Sequence, residues 1–169
     1  MKKASFEERR GFFRTSIGIA GSLTVLSSLS MLEGCESTTF KSSSIVGPSV
    51  ENNMVTLDTT TTDYATLANV DGLVSIDVNN NGQDMKLMVF RVSETEAVTM
   101  SRLCTHQGCD LGTKYSGELI SPTTILCGCH ASRFNLTNGH LIHGAVPGQQ
   151  NLATFPTTIN GNTITITLA

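Results

Sequence analysis

Two short boxes rich in cysteine and histidine constrain this chain more than any other feature. They read CTHQGC at residues 104–109 and CGCHASRF at residues 127–134. Together they hold four of the five cysteines and two of the four histidines of the chain. Each box offers one thiolate and one imidazole, as Cys-x-His in the first and Cys-x-x-His in the second. Such ligands suit a transition metal, so the sequence predicts that the two boxes converge on one metal centre.

The two boxes resemble the cluster-binding boxes of Rieske iron–sulfur proteins. In a Rieske centre, two histidines replace two cysteines on one iron of a [2Fe–2S] cluster. Carried over by position, the resemblance implies that Cys104 and Cys127 bind one iron. The other iron would be bound by His106 and His130. The implied cofactor is therefore a [2Fe–2S] cluster.

The remaining cysteines of the boxes, Cys109 and Cys129, match a second pair in the resemblance. That pair joins the two loops as a disulfide, and the same bond is expected here. Structural zinc also takes cysteine and histidine ligands, so a zinc-binding structural lipoprotein is an alternative. His140 and His143 lie outside the boxes, on a predicted strand, and are not expected to be ligands.

Residues around the boxes predict how such a cluster would behave. Two neutral imidazoles make it less negative, so its potential should lie at roughly −150 to +300 mV, against about −400 mV for plant-type ferredoxins. In high-potential family members, a serine hydroxyl bonds a bridging sulfide and a tyrosine hydroxyl bonds a cysteine sulfur. Ser132 matches the serine, whereas Phe134 replaces the tyrosine. We therefore expect a pH-dependent potential between those of quinol-oxidising complexes and of Rieske ferredoxins without a disulfide.

Residues 1–34 are interpreted as a twin-arginine signal or a membrane anchor. The run ERRGFFR at residues 8–14 resembles a twin-arginine motif, and residues 15–32 carry no charge. The following sequence Leu32-Glu33-Gly34-Cys35 resembles a lipoprotein processing site, with Cys35 as the lipidated residue. In the alternative, the segment stays as an anchor, although a membrane helix needs about 20 apolar residues. Both interpretations place the domain on the periplasmic, outer face of the cytoplasmic membrane, where a disulfide persists.

Residues 35–53 are predicted to form a flexible tether, because they are rich in serine and threonine and include Gly47-Pro48. Residues 54–169 would form the Rieske domain. From Cys35 onwards, six Lys or Arg stand against eleven Asp or Glu, which gives a net charge of −5. The lack of a basic patch argues against nucleic acid as a partner. The acidity would suit a basic electron partner.

The domain is predicted to be all-β, because short alternating segments are separated by turn signals. The resemblance implies an antiparallel β sandwich or barrel base with a small inserted cluster-binding subdomain. The predicted strands are Met54–Asp58, Gly72–Val78, Met85–Arg91, Glu96–Ser101, Thr123–Leu126, Leu141–Ile142, Leu152–Phe155 and Thr163–Leu168. The turn signals are Asn79–Gly82, Asn138–Gly139 and Asn160–Asn162.

The functional prediction is a membrane-tethered electron-transfer protein, with no catalytic residues of its own. Its partners would be cytochrome b or c in a respiratory oxidoreductase of the quinol–cytochrome c type. Three departures weaken the match to quinol-oxidising subunits: Gln107 replaces the usual leucine, Phe134 replaces tyrosine, and Gly144-Ala-Val-Pro147 replaces Gly-Pro-Ala-Pro. The alternative is the small Rieske subunit of a molybdenum oxidoreductase such as an arsenite oxidase-like enzyme. A dioxygenase component is not expected, because such domains usually lack the second cysteine pair.

Overall fold

The computed structural model describes residues 47–168. The twin-arginine-like run, the predicted lipidation site Cys35 and most of the predicted tether lie outside the described residues. Within residues 47–168, helix is limited to one short 3-10 segment, Ala65–Ala68. No helix in this range has the length and apolar character needed to cross a membrane.

The described residues form twelve strands, all paired in antiparallel fashion. This pattern confirms the predicted all-β class. In chain order the strands are β1 (Val50–Glu51), β2 (Met54–Asp58), β3 (Leu73–Asn80), β4 (Gln83–Arg91), β5 (Ala97–Ser101), β6 (Gly117–Ser121), β7 (Thr124–Cys127), β8 (Arg133–Asn135), β9 (Leu141–His143), β10 (Thr154–Phe155), β11 (Thr157–Asn160) and β12 (Thr163–Thr167).

The strands form three four-stranded sheets. Two base sheets have the orders β1-β2-β12-β11 and β10-β5-β4-β3, and the cluster sheet has the order β6-β7-β8-β9. The four strands of the cluster sheet lie between β5 and β10 in the chain. The structure therefore has the predicted architecture of a β base with an inserted subdomain that carries the second box.

Strand β4 is buried on both of its faces. Leu87 and Val89 point into the core between the two base sheets, whereas Met88 and Phe90 point into a second core beneath the two boxes. Because neither face meets water, this part of β4 reads as a continuous apolar run and does not alternate. Besides Met88 and Phe90, the buried members of the second core are Met100, Cys104, Leu111, Ile125, Cys127, Phe134, Leu136 and Leu152.

A two-residue turn joins β3 to β4. Asn81 and Gly82 both have positive φ angles, 52° and 89°, as a type I′ hairpin turn requires. Asparagine and glycine adopt this conformation at lower cost than other residues. The predicted turn signal over residues 79–82 is thus a hairpin, although the paired strands extend further into it than expected.

Four strands are not predicted by the sequence, namely β1, β6, β8 and β11. On β6, four of the five side chains are exposed, so the sequence shows no alternation towards a core. Strand β8 begins within the second box, and β11 contains a single apolar residue, Ile159. These segments become strands through pairing with neighbours and not through their own pattern. Strand β1 lies within the segment that was assigned to the tether.

A buried arginine connects the first box to the base. The Nε and Nη2 atoms of Arg102 donate to the two carboxylate oxygens of Asp110 at 2.7 and 3.1 Å. Nη2 also donates to Asp77 on β3 at 2.7 Å, and Lys86 on β4 donates to Asp110 at 2.9 Å. Asp110 directly follows Cys109. The network therefore fixes the end of the first box relative to two strands of one base sheet.

The network lowers the pKa of Asp110. Partial burial alone would raise this pKa, but hydrogen bonds from Arg102, Lys86 and the Gly112 N–H, together with the Arg102 charge, outweigh burial. A carboxyl group with a lowered pKa in the folded state stabilises the fold above its unfolded pKa of about 3.9. That contribution is lost as the pH falls through the lower folded value.

We expect Asp110→Asn to lower the free energy of unfolding at pH 7 by roughly 1–3 kcal/mol, because it removes the charged acceptor of Arg102 and Lys86. The deficit relative to the unmodified protein should shrink below about pH 4, where the carboxylate itself becomes protonated. Urea unfolding at pH 7 and below about pH 4, followed by circular dichroism, measures the free energy of unfolding of both proteins. Asp63→Asn is the control, since Asp63 is exposed and makes no salt bridge within the described residues. If Asp110→Asn lowered the free energy of unfolding equally at both pH values, the stabilisation would not come from the ionised Asp110 carboxylate.

Candidate metal centre

The first box folds into a tight loop directly after β5. The Cys104 N–H donates to the carbonyl of Cys109 at 2.9 Å, and the Gly108 N–H donates back to the carbonyl of Cys104 at 2.8 Å. Gly108 has a φ angle of 73°, which glycine adopts without steric cost. These two hydrogen bonds fix the conformation of the loop that carries Cys104 and His106.

The second box folds into the same kind of loop between β7 and β8. The Cys127 N–H donates to the carbonyl of Ser132 at 2.7 Å, and the Ala131 N–H donates to the carbonyl of Cys127 at 2.9 Å. Both boxes thus start with a cysteine whose N–H bonds the residue five positions later. The residue four positions later has positive φ in both, 62° at Ala131 in this box. An alanine tolerates that angle only at an energetic cost, so the loop imposes this conformation.

A disulfide joins the two loops. It links Cys109 to Cys129, which are 20 residues apart in the sequence. A bond that closes a loop of this size contributes roughly 3 kcal/mol to stability. Across the same junction, the rings of His106 and His130 lie edge to face, with centroids 4.6 Å apart. The structure therefore brings one cysteine and one histidine of the first box next to one cysteine and one histidine of the second.

Cys104 and Cys127 are the two free cysteines among residues 47–168, and both are buried. They belong to the second core, beneath the loops. His130, in contrast, is exposed, and His106 is half-buried. The predicted ligands are thus arranged with the cysteine pair inside and the histidine pair towards the surface.

The donor atoms at this junction fit a metal cluster. The sulfurs of Cys109, Cys127 and Cys129 lie within 4.8 Å of one another, but the disulfide leaves only Cys127 of the three as a thiolate ligand. Nδ1 of His106 is buried and has no hydrogen-bond partner. A buried polar atom without a partner is costly, and a metal ion would satisfy it. The free, buried cysteines and the unpartnered imidazole nitrogen together favour a site whose ligands are two thiolates and two imidazoles.

The thiol of Cys127 is held in its neutral form when no metal is bound. Burial raises the pKa of Cys127, and the neighbouring Cys104 adds to the increase. The backbone N–H groups of Cys129 and His130 act in the opposite direction without reversing it. Since a thiolate is the ligand, cluster binding must release this proton and is favoured by higher pH.

The two residues predicted to adjust the cluster are both fully buried. The Ser132 hydroxyl donates to Oε1 of Gln149 at 3.1 Å, so its partner among the described residues is a side chain. A bond from Ser132 to a bridging sulfide stays a prediction. Phe134 on β8 packs in the second core with Cys104 and Cys127, and its ring offers no hydroxyl to either sulfur.

Sequence reasoning missed Gln149, which belongs to a third loop at residues 144–149. This loop contains Pro147, the proline of the segment that replaces Gly-Pro-Ala-Pro; Pro147 is exposed. The contact with the boxes is made instead by Gln149, through Ser132 of the second box and Thr105 of the first. A single glutamine in a loop gives no sequence signal, because only the folded chain shows which groups it meets.

Three other residues discussed from the sequence are exposed. His140 and His143 are exposed, next to and on β9. Gln107 is exposed beside His106. It therefore contributes a polar side chain to the surface around the first predicted imidazole ligand.

We expect His130→Ala to abolish the EPR signal of a histidine-ligated [2Fe–2S] centre, because one imidazole ligand is lost. His143→Ala is the matched control, since that histidine is exposed on β9 and should leave the spectrum intact. Low-temperature EPR of the reduced proteins makes the comparison. An unchanged spectrum in His130→Ala would remove this residue from the ligand set.

Comparison with known proteins agrees with this geometry. The family model described as "Rieske [2Fe-2S] domain" matches residues 66–156. No curated protein matches the sequence significantly. Among solved structures, the ferredoxin of carbazole 1,9a-dioxygenase from Nocardioides aromaticivorans IC177 is 21% identical and has a TM-score of 0.43, over 56% of this chain and 85% of that chain.

Two further structures resemble this chain. Sphingomonas yanoikuyae B1 ferredoxin is 26% identical, with a TM-score of 0.45 over 62% of this chain and 94% of that chain. An oxygenase and ferredoxin complex of carbazole 1,9a-dioxygenase is 20% identical, with a TM-score of 0.50. That match covers 71% of this chain but only 29% of the other, and it shows the fold alone. Because the family model covers more than half of the 169 residues, this chain belongs to the Rieske family, and its cofactor is a [2Fe–2S] cluster.

Proposed function

We propose that this Rieske protein is tethered by its N-terminus to the periplasmic face of the cytoplasmic membrane. There it would serve a respiratory oxidoreductase of the quinol–cytochrome c type as an electron carrier. The cluster, when bound, takes up and releases one electron. The chain's own residues bury the two cysteine ligands and leave His130 exposed. The exposed imidazole side is the side at which a redox partner would dock.

The disulfide between Cys109 and Cys129 is the observation that supports an extracytoplasmic location. Disulfides persist in oxidising compartments and are rare in the cytosol, where thiols are kept reduced. The twin-arginine-like run at residues 8–14 would supply an export route for an already folded, cluster-loaded domain. Cys35 would then carry the lipid anchor.

The segment that holds the two boxes is nearly neutral and carries most of the exposed hydrophobic side chains. Residues 102–149 contain three Lys or Arg and two Asp or Glu, whereas the other described residues contain two against eight. The acidic charge that was expected to attract a basic partner thus belongs to the base. Six of the eight large hydrophobic side chains that are exposed in residues 47–168 lie within the cluster-binding segment: Leu103, Tyr115, Leu119, Ile120, Ile142 and Val146.

This distribution favours a partner that docks by apolar contacts. Tyr115 is 83% exposed and lies beside the second box, where Ser116 accepts a hydrogen bond from Gly128. An exposed aromatic ring next to the predicted ligands supplies contact area at low entropic cost. The acidic base would orient the protein during approach without forming the contact itself.

A second candidate is the small Rieske subunit of a molybdenum oxidoreductase. The exposed Gln107 favours it, because this polar side chain lies beside His106 on the surface that would face a partner. Quinol-oxidising subunits typically carry leucine at this position. The two candidates share electron transfer and the membrane tether, and they differ in the partner.

Location is tested by expressing the full chain in a bacterium with a twin-arginine pathway and fractionating the cells. We expect the protein in the membrane fraction, with a diacylglycerol mass on Cys35. Cys35→Ala should abolish the lipid, and the double substitution Arg9→Lys and Arg10→Lys should retain the protein in the cytoplasm. A wild-type protein that stays soluble in the cytoplasm with an intact Met1 would refute the proposal.

The partner class is tested by the midpoint potential of the loaded protein across pH. For a quinol–cytochrome c system we expect a positive midpoint that falls as the pH rises, because reduction is coupled to proton uptake at the imidazole ligands. Protein-film voltammetry measures the dependence. A low midpoint that does not change with pH would tell against quinol chemistry and leave the family assignment untouched.

A further inference from the structure

We propose that Gln149 is a positioning residue that raises the reduction potential of the cluster by directing an amide N–H at the sulfur of Cys104. Nε2 of Gln149 lies 4.0 Å from Sγ of Cys104. The inference rests on cluster binding by the two boxes. It depends on neither the membrane tether nor the redox partner proposed above.

The orientation of the Gln149 amide is fixed by a group that can only donate. The backbone N–H of Ala145 points at one end of the amide, at 2.8 Å, so that end must be the oxygen. The Ser132 hydroxyl donates to the same oxygen at 3.1 Å. The NH₂ group therefore occupies the other end, on the side of the first box.

The two hydrogens of this NH₂ group have different targets. Nε2 lies 3.2 Å from Oγ1 of Thr105. That hydroxyl donates its own proton to the carbonyl of Gln150 at 2.7 Å, so it accepts from Gln149. One amide hydrogen is thus used by Thr105, and the second is left to face the Cys104 sulfur.

The surroundings make this dipole effective. Cys104 is only 3% exposed, so little water screens the interaction. A hydrogen-bond donor directed at a thiolate ligand stabilises the reduced cluster, which carries the additional negative charge, and so raises the potential. Phe134 has no hydroxyl to serve as such a donor. Apart from the cysteines themselves, no other side chain in residues 47–168 makes a hydrogen bond to the sulfur of Cys104 or Cys127.

A second contact of Gln149 acts in the opposite direction. Its oxygen occupies the Ser132 hydroxyl, which family resemblance assigns to a bridging sulfide. Loss of Gln149 would release that hydroxyl and could raise the potential. The experiment must therefore measure the effect of Gln149 both with and without Ser132.

We would measure the midpoint potential of cluster-loaded Gln149→Leu in the wild-type background and in the Ser132→Ala background. The expected result is a lower midpoint in the Ser132→Ala background, with a retained Rieske EPR spectrum. The decrease should be smaller in the wild-type background, because the released Ser132 hydroxyl opposes it. The matched control is Gln150→Leu, because Gln150 is exposed and its amide donates only to Gly148. This variant should keep the wild-type midpoint. An unchanged or raised midpoint in the Ser132→Ala background overturns the proposal.

Gln149→Glu keeps the measurement decisive if the leucine variant fails to retain the cluster. Glutamate can still accept from Ala145 and Ser132, so it preserves the attachment of the third loop, but it has no N–H for Cys104. We expect a lowered midpoint here too, and a wild-type value would overturn the proposal. If the wild-type protein itself gave no Rieske EPR spectrum, the cluster assignment would fail, which is a different outcome from a failure of the Gln149 proposal.

Discussion

The bond between Cys109 and Cys129 is the constraint on which the functional site depends. Each box forms a loop that is closed by two backbone hydrogen bonds, so each loop is stable in shape without the other. What those bonds do not fix is the position of one loop relative to its counterpart. A site with ligands from both loops needs that relation held within a fraction of an ångström. The disulfide holds the two loops in a fixed relative position, directly beside the predicted ligands.

The base supports this arrangement through strand β4, which is buried on both of its faces. Met88 and Phe90 of β4 pack against the second core, which contains both free cysteines, while the opposite face of β4 completes the core between the base sheets. Arg102 adds a polar connection, because it joins Asp110 of the first loop to Asp77 of β3. Packing and the ion pairs thus act on different sides of the same loop.

The sequence predicts the residues of the site better than it predicts their surroundings. Coordination chemistry accepts few residue types, so four cysteines and two histidines in two boxes indicate a metal centre. The resemblance to the Rieske boxes implies the disulfide pair, which the structure contains. Strands with one buried face, such as β3 and β12, are also predicted from the sequence, because their apolar and polar residues alternate. Strand β6 is not, because its side chains are exposed and its identity comes from pairing with β7. The role of Gln149 depends on three loops that meet only after folding.

The exposure of His130 and the exposure of hydrophobic side chains in the same segment have a common physical basis. Electron transfer requires that the donor and the acceptor approach closely, so one side of the centre must lie at the surface, where water is present. Hydrophobic side chains such as Tyr115 and Val146 can exclude that water once a partner binds, whereas charged groups there would have to be desolvated. The charges are therefore better placed on the base, where they keep the protein soluble and still influence its approach. The described residues accordingly carry most of their acidic charge on the base and little on the segment that holds the two boxes.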